Sequence, residues 1–126
     1  MTRKNRYKKE QTQEKGQSMK LTIAERFQLA SLLPDKESFA GMTEISRLKI
    51  HLALTEEEAK HIDLRQEGGG IRWNNEKAAQ LIKDIPMGEW MTNIIRDILR
   101  QKNEQHQVTE LDMSLYEKFV VDYGLV

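Results

Sequence analysis

The chain has 126 residues, of which 38% are hydrophobic and 32% charged, and its formal net charge at neutral pH is zero. This length fits a single domain with one modest core, and so polar a composition indicates that part of the chain lies outside that core. The absence of cysteine excludes disulfides and thiolate chemistry, and no apolar run reaches the roughly 18 residues of a membrane span, so we expect a soluble intracellular protein without a membrane partner.

The N-terminal segment is basic. Residues 1–19 hold six basic side chains against two acidic ones, a net charge of +4, whereas the rest of the chain has a net charge of −4. Such a segment buries too little apolar surface to offset its ordering entropy. We therefore predict a flexible basic N-terminal arm over residues 1–19 and a single α+β domain over residues 20–126. The arm is either a solvated tail or a segment that orders on a nucleic acid or an acidic partner; its basic residues include Arg3, Lys4, Arg6, Lys8 and Lys9.

Two capping boxes mark helix starts in the first half of the domain. Thr22 with Glu25, and Thr55 with Glu58, fit the Thr-x-x-Glu pattern, in which side chains and backbone N–H groups satisfy one another. Apolar residues at helical spacing follow Thr22 until Pro34 ends the pattern. The sequence predicts helices over residues 22–33, 43–54 and 55–62.

A β-hairpin is predicted near residues 62–74. Apolar and polar residues alternate on both sides of three consecutive glycines in Ile62-Asp-Leu-Arg-Gln-Glu-Gly-Gly-Gly-Ile-Arg-Trp-Asn74. One or two helical turns are expected after it. The segment 83–87 is expected to be extended, and Pro86 restricts it to the edge of a sheet.

Two further helices are predicted near the C-terminus. An amphipathic helix follows Gly88, and a last helix begins at Thr109, with Asp112 at the capping-box position. Together the elements predict an α+β fold of four or five helices packed on a small two- or three-stranded antiparallel sheet.

Three segments carry a resemblance to a known group of proteins. Leu21-Thr-Ile-Ala-Glu-Arg, Glu67-Gly-Gly-Gly-Ile-Arg-Trp-Asn74 and Leu115-Tyr-Glu-Lys-Phe-Val120 resemble small uncharacterised proteins of tailed bacteriophages and prophages. The resemblance covers roughly residues 19–120 and leaves the basic arm outside. It implies a phage context but assigns no activity to any residue, because that group has no assigned activity.

The sequence offers little to catalysis, cofactors or metals. The glycine triplet precedes Ile-Arg-Trp rather than the Lys and helix of a phosphate loop, so we interpret it as a turn. His51, His61 and His106 lack the paired spacing of metal ligands. No carboxylate lies in an apolar stretch that would raise its pKa, and no nucleophile motif is present. We predict no enzymatic activity, no catalytic residues, no cofactor and no metal site.

Two hypotheses for the function remain. The first is a non-enzymatic phage-type protein, in the bacterial cytoplasm or a virion, that binds a phage structural or host protein through Arg65, Arg72, Trp73 and the basic arm. The second is a winged-helix-like DNA-binding regulator, because three helices and then a hairpin form the element order of that fold. It would contact DNA through the arm and through Arg47, Lys49, Arg65 and Arg72. The acidic triplet Glu56-Glu57-Glu58 argues against it, since the third helix would face the phosphates.

Overall fold

The computed structural model describes residues 18–122, and this part of the chain contains six α-helices and four short strands. The α+β prediction is confirmed, with one helix more than expected because the turns predicted after the hairpin form a helix of their own. In chain order the elements are β1 (Ser18–Leu21), α1 (Ile23–Leu32), α2 (Phe39–Leu52), α3 (Glu56–His61), β2 (Arg65–Glu67), β3 (Gly70–Arg72), α4 (Asn75–Ala79), β4 (Lys83–Pro86), α5 (Glu89–Glu104) and α6 (Glu110–Tyr116), which continues as a π-helix (Glu117–Val121).

The four strands form two separate antiparallel sheets. β1 pairs with β4, with Met19 opposite Ile85, and β2 pairs with β3. The strand β1 was not predicted, and it contains Ser18 and Met19, which the sequence analysis assigned to the arm. The remainder of the predicted arm, residues 1–17, lies outside the described residues. Pro86 is at an edge as predicted, since each strand of a two-stranded sheet has one open side.

The predicted helix starts are largely correct. Both Thr-x-x-Glu capping boxes form, at the starts of α1 and α3. The helix α2 begins at Phe39, four residues earlier than predicted, because the Ser38 hydroxyl accepts a hydrogen bond from the Gly41 backbone N–H at 3.1 Å. A Ser-x-x-Gly start lacks the acidic residue of a capping box, so the sequence pattern did not identify it.

The helix α1 lies between two hydrophobic clusters. Leu29 and Leu33 belong to the larger one, and Ile23 belongs to the smaller one with Ile62 and Ala78. Each fully buried leucine or isoleucine contributes about 1.5–3 kcal/mol relative to an exposed one. The larger cluster also contains Leu21, Ile45, Leu48, Leu52, Ile85, Met87, Met91, Ile95, Leu99, Leu115 and Phe119.

The predicted hairpin is present, with strands of three residues each. Its two turn residues, Gly68 and Gly69, have φ values of +57° and +82°. Positive φ at both central positions is typical of a type I′ turn, whose twist matches that of the paired strands. The glycine triplet is therefore a structural turn, as the sequence indicated.

Substituting Gly69 by valine is expected to destabilise the hairpin locally by about 1–2 kcal/mol, because a β-branched residue disfavours positive φ. No atom lies within 4 Å of the position of an added Cβ, so the effect comes from the backbone. Amide hydrogen exchange should accelerate in residues 65–72. In Gly70→Ala, whose added Cβ would make only ordinary van der Waals contact, exchange should stay close to that of the unmodified chain. Equal acceleration in both variants would contradict this account.

Candidate protein-binding surface

The β2–β3 hairpin has two different faces. Arg65 lies opposite Arg72 and Gln66 opposite Ile71, and side chains alternate between faces along a strand. One face therefore carries Arg65, Glu67 and Arg72, and the other carries Gln66 and Ile71. All six strand residues are exposed, so neither face is covered by the described part of the chain.

An apolar patch lies at the end of β3, where Trp73 meets α1. The indole of Trp73 stacks on the ring of Phe27, with centroids 5.1 Å apart and planes 19° apart. Trp73 directly follows β3, and the alternation of side chains along a strand favours the same face for Trp73 and Ile71. Trp73 is half-buried against the smaller cluster, whereas Phe27 is 38% and Ile71 51% exposed. We call Phe27, Ile71 and Trp73 the apolar hairpin surface.

Phe27 corrects one part of the sequence interpretation. Phe27 is one of the apolar residues at helical spacing after Thr22, which the periodicity predicts to be buried, but its side chain is partly exposed. The buried face of α1 instead contains Glu25 and Arg26, which are 5% and 1% exposed. Phe27 lies near the surface, where it meets Trp73.

The two predicted hairpin arginines have different environments. The Arg65 Nε donates to Glu67 Oε2 at 2.8 Å and its Nη1 donates to the Asp63 carbonyl at 3.3 Å. Arg72 is exposed and forms no ion pair with any residue between 18 and 122. Arg72 is therefore the hairpin cation that is free to meet an acidic group of a partner.

The predicted contact residues of the arm, Arg3, Lys4, Arg6, Lys8 and Lys9, lie outside the described residues. Trp90 is 41% exposed at the start of α5, where its ring lies beside Gly41 of α2. The structure brings Trp73 into contact with Phe27, a residue that was not a sequence-based candidate for binding.

Apart from the apolar hairpin surface, a depression lies between α2, β4 and the start of α5. It has a volume of about 220 Å³ and is lined by Leu48, Met87 and Met91, with Arg47 and His51 beside them. The Arg47 guanidinium forms an ion pair at 3.2 Å with Glu44, three residues earlier on the same helix. This groove includes none of the residues of the apolar hairpin surface.

Three ion pairs that join different elements were not predicted from the sequence. In each of them a capping-box carboxylate also contacts a cation: Glu25 with Lys118 at 2.6 Å, Glu58 with Arg26 at 2.9 Å and Asp112 with Lys102 at 2.6 Å. The capping-box pattern located these acids as helix caps, but it contained no signal for their distant partners.

The pKa values of these carboxylates indicate a structural role. Burial alone would raise the pKa of Asp112, but hydrogen bonds from Lys102, Thr109 and Gln28 outweigh it and lower the pKa to about 2. Lys118 and Thr22 likewise lower the pKa of Glu25 against the effect of burial. A general acid at neutral pH needs a raised pKa, so neither carboxylate has that property.

Residues 18–122 contain no group of three or more His, Cys, Asp or Glu side chains that could hold a metal ion. No helix in this range is both long and apolar enough to cross a membrane. Comparison of the chain with protein families, with curated proteins and with solved structures gives no match.

Proposed function

We propose that this chain is a non-enzymatic protein that acts by binding another protein through the apolar hairpin surface and Arg72. The observation that carries the proposal is the stacking of Trp73 on the partly exposed ring of Phe27, with the half-exposed Ile71 two residues before Trp73 in the chain. Tryptophan and arginine are over-represented among the residues that dominate interface energies. A half-buried tryptophan is also held in place by its own fold, which lowers the entropy cost of binding.

The charges of the hairpin favour a protein partner over DNA. Arg65 pairs with Glu67, and Asp63 pairs with Lys77 at 3.3 Å, so the hairpin presents no continuous row of basic side chains to phosphates. Exposed Glu56 and Glu57 lie on α3, the helix that a winged-helix protein would place in the major groove.

The hypothesis of a winged-helix-like regulator is supported by the order of elements, because α2 and α3 are joined by three residues and the hairpin follows. The strand pairing does not add to that support, since the hairpin forms a sheet of its own and β1 pairs with β4. A gel-shift with duplex DNA at low and high salt tests this hypothesis. Binding that weakens steeply with salt, with a smaller slope after deletion of residues 1–18, is its expected result.

The setting of the proposed interaction is a phage one, and the partner is a phage structural protein or a host protein. This part of the proposal rests on the resemblance of the three segments to small phage proteins. It places the chain in the bacterial cytoplasm or in a virion, where the basic arm could add contacts to nucleic acid or to acidic protein surfaces.

Replacing Ile71 by aspartate is expected to reduce partner recovery at least about tenfold, because a carboxylate would be buried in an apolar contact. The measurement is co-purification of the tagged full chain from phage-infected cells, quantified by mass spectrometry. Ile82→Asp is the matched control, since Ile82 is similarly exposed, at 57%, but lies outside the apolar hairpin surface. Equal recovery with both variants would refute the proposed surface.

A further inference from the structure

We infer that the partner contributes an extended segment that adds as a third strand to the open edge of β3, with an apolar side chain beside Ile71 and an acidic one facing Arg72. The inference rests on the proposed function, and it specifies the conformation and the chemistry of the segment that binds.

The register of the hairpin determines which backbone groups are open. With a two-residue turn, Glu67 and Gly70 form a hydrogen-bonded pair, and so do Arg65 and Arg72 two positions further. The intervening pair, Gln66 and Ile71, directs its N–H and C=O groups away from the hairpin. Neither residue makes a further backbone hydrogen bond within residues 18–122, so each strand offers an N–H and a C=O to an added strand.

This edge lacks three of the features by which proteins prevent strand addition, namely proline, lysine and bulges. The pairing of β2 with β3 is continuous, and neither strand contains proline or lysine, whereas β4 contains both Lys83 and Pro86. A two-stranded hairpin is marginally stable in water, so a third strand would also stabilise the hairpin itself.

The side chains favour the edge of β3 over that of β2. On β2, Arg65 and Glu67 satisfy each other. On β3, Ile71 is half exposed next to Trp73 and Arg72 has no acidic partner among the described residues. Because Ile71 and Arg72 point to opposite faces, a strand that matches both alternates an apolar residue with an acidic one.

The test is a selection of short random displayed peptides against the immobilised full chain, followed by calorimetry with the best synthetic binder. The selected peptides should alternate apolar and acidic residues. Ile71→Ala removes the isoleucine side chain and keeps the outward N–H, whereas Ile71→Pro removes both without removing a hydrogen bond of the hairpin. Ile71→Pro should therefore weaken peptide binding about tenfold more than Ile71→Ala. Gln66→Pro makes the same change on β2 and should leave the affinity within about twofold.

A charge exchange provides a second test that does not depend on proline. Arg72→Glu should weaken binding about three- to tenfold, and a peptide with lysine in place of its acidic residue should recover most of the loss. The inference is overturned if no peptide is selected, if both proline variants weaken binding equally, or if the charge exchange gives no recovery. Partner recovery that falls in Ile71→Asp but is equal in Ile71→Ala and Ile71→Pro would retain the proposed function and refute strand addition. Peptide binding at β3 without any recovered partner would support strand addition and refute the proposed function.

Discussion

Replacement of Arg26 by alanine is expected to lower the free energy of unfolding by about 3–5 kcal/mol. The Arg26 side chain is 1% exposed, and its guanidinium donates to the Leu52 carbonyl at 3.1 Å, to the Ala53 carbonyl at 2.7 Å and to both carboxylate oxygens of Glu58. It thereby joins α1 to the end of α2 and the start of α3. Removal would leave the Leu52 and Ala53 carbonyls and the Glu58 carboxylate without the donors of the guanidinium, which costs more than the loss of an exposed ion pair.

Urea unfolding followed by tryptophan fluorescence measures this effect. Arg47→Ala is the matched control, because Arg47 also pairs with a glutamate but its side chain is 69% exposed. The control is expected to lose less than about 1 kcal/mol. A similar loss in both variants would mean that the buried guanidinium contributes no more than a surface charge.

Acidification is expected to remove about 5 kcal/mol of stability, mostly between pH 5 and pH 2. Hydrogen bonds from Arg26 lower the pKa of Glu58 from 4.5 to about 2, against the opposing effect of burial. The pKa of Asp112 is also about 2, because the hydrogen bonds from Lys102, Thr109 and Gln28 outweigh its burial. A carboxyl with a lowered pKa in the folded state binds fewer protons than in the unfolded state. Its contribution is therefore complete above its unfolded pKa and is lost as the pH falls through its folded pKa.

The variant Asp112→Asn isolates one part of this pH dependence. It can still accept hydrogen bonds from the Thr109 backbone and hydroxyl, which both lie 3.0 Å from Asp112 Oδ2, but it cannot ionise. The stability lost on acidification should become smaller by the contribution of one carboxyl group, about 2 kcal/mol. Asp84→Asn, at an exposed ion pair with Lys20, is the control for removal of an acidic residue. An unchanged slope in Asp112→Asn would refute the assignment.

Local interactions explain why most elements could be predicted from the sequence. A capping box is complete within four residues, and a type I′ turn needs only its two glycines, so Thr22, Thr55 and the turn at Gly68 were identified correctly. The strand β1 could not be identified in this way. It has four residues, and its partner β4 lies more than 60 positions later, so pairing rather than pattern determines that it is a strand.

The candidate surface was predictable only in part for the same reason. Alternation along the segment predicts that Ile71 and Trp73 share one face, and the register confirms the strand as far as Arg72. The contribution of Phe27 could not be predicted, because Glu25 and Arg26 on the same helix are buried against ion-pair partners far along the chain. A periodicity of apolar residues treats charged residues as exposed, and it therefore assigned Phe27 to the core.

Hydrogen–deuterium exchange of the full chain, free and bound to its co-purified partner, tests the central claim of binding through the hairpin most directly. The account predicts slower exchange of the backbone amides in residues 65–72 on binding, and unchanged exchange in α5, which lies outside the apolar hairpin surface. Slowing confined to the groove between α2, β4 and α5, with the hairpin amides unaffected, would contradict it.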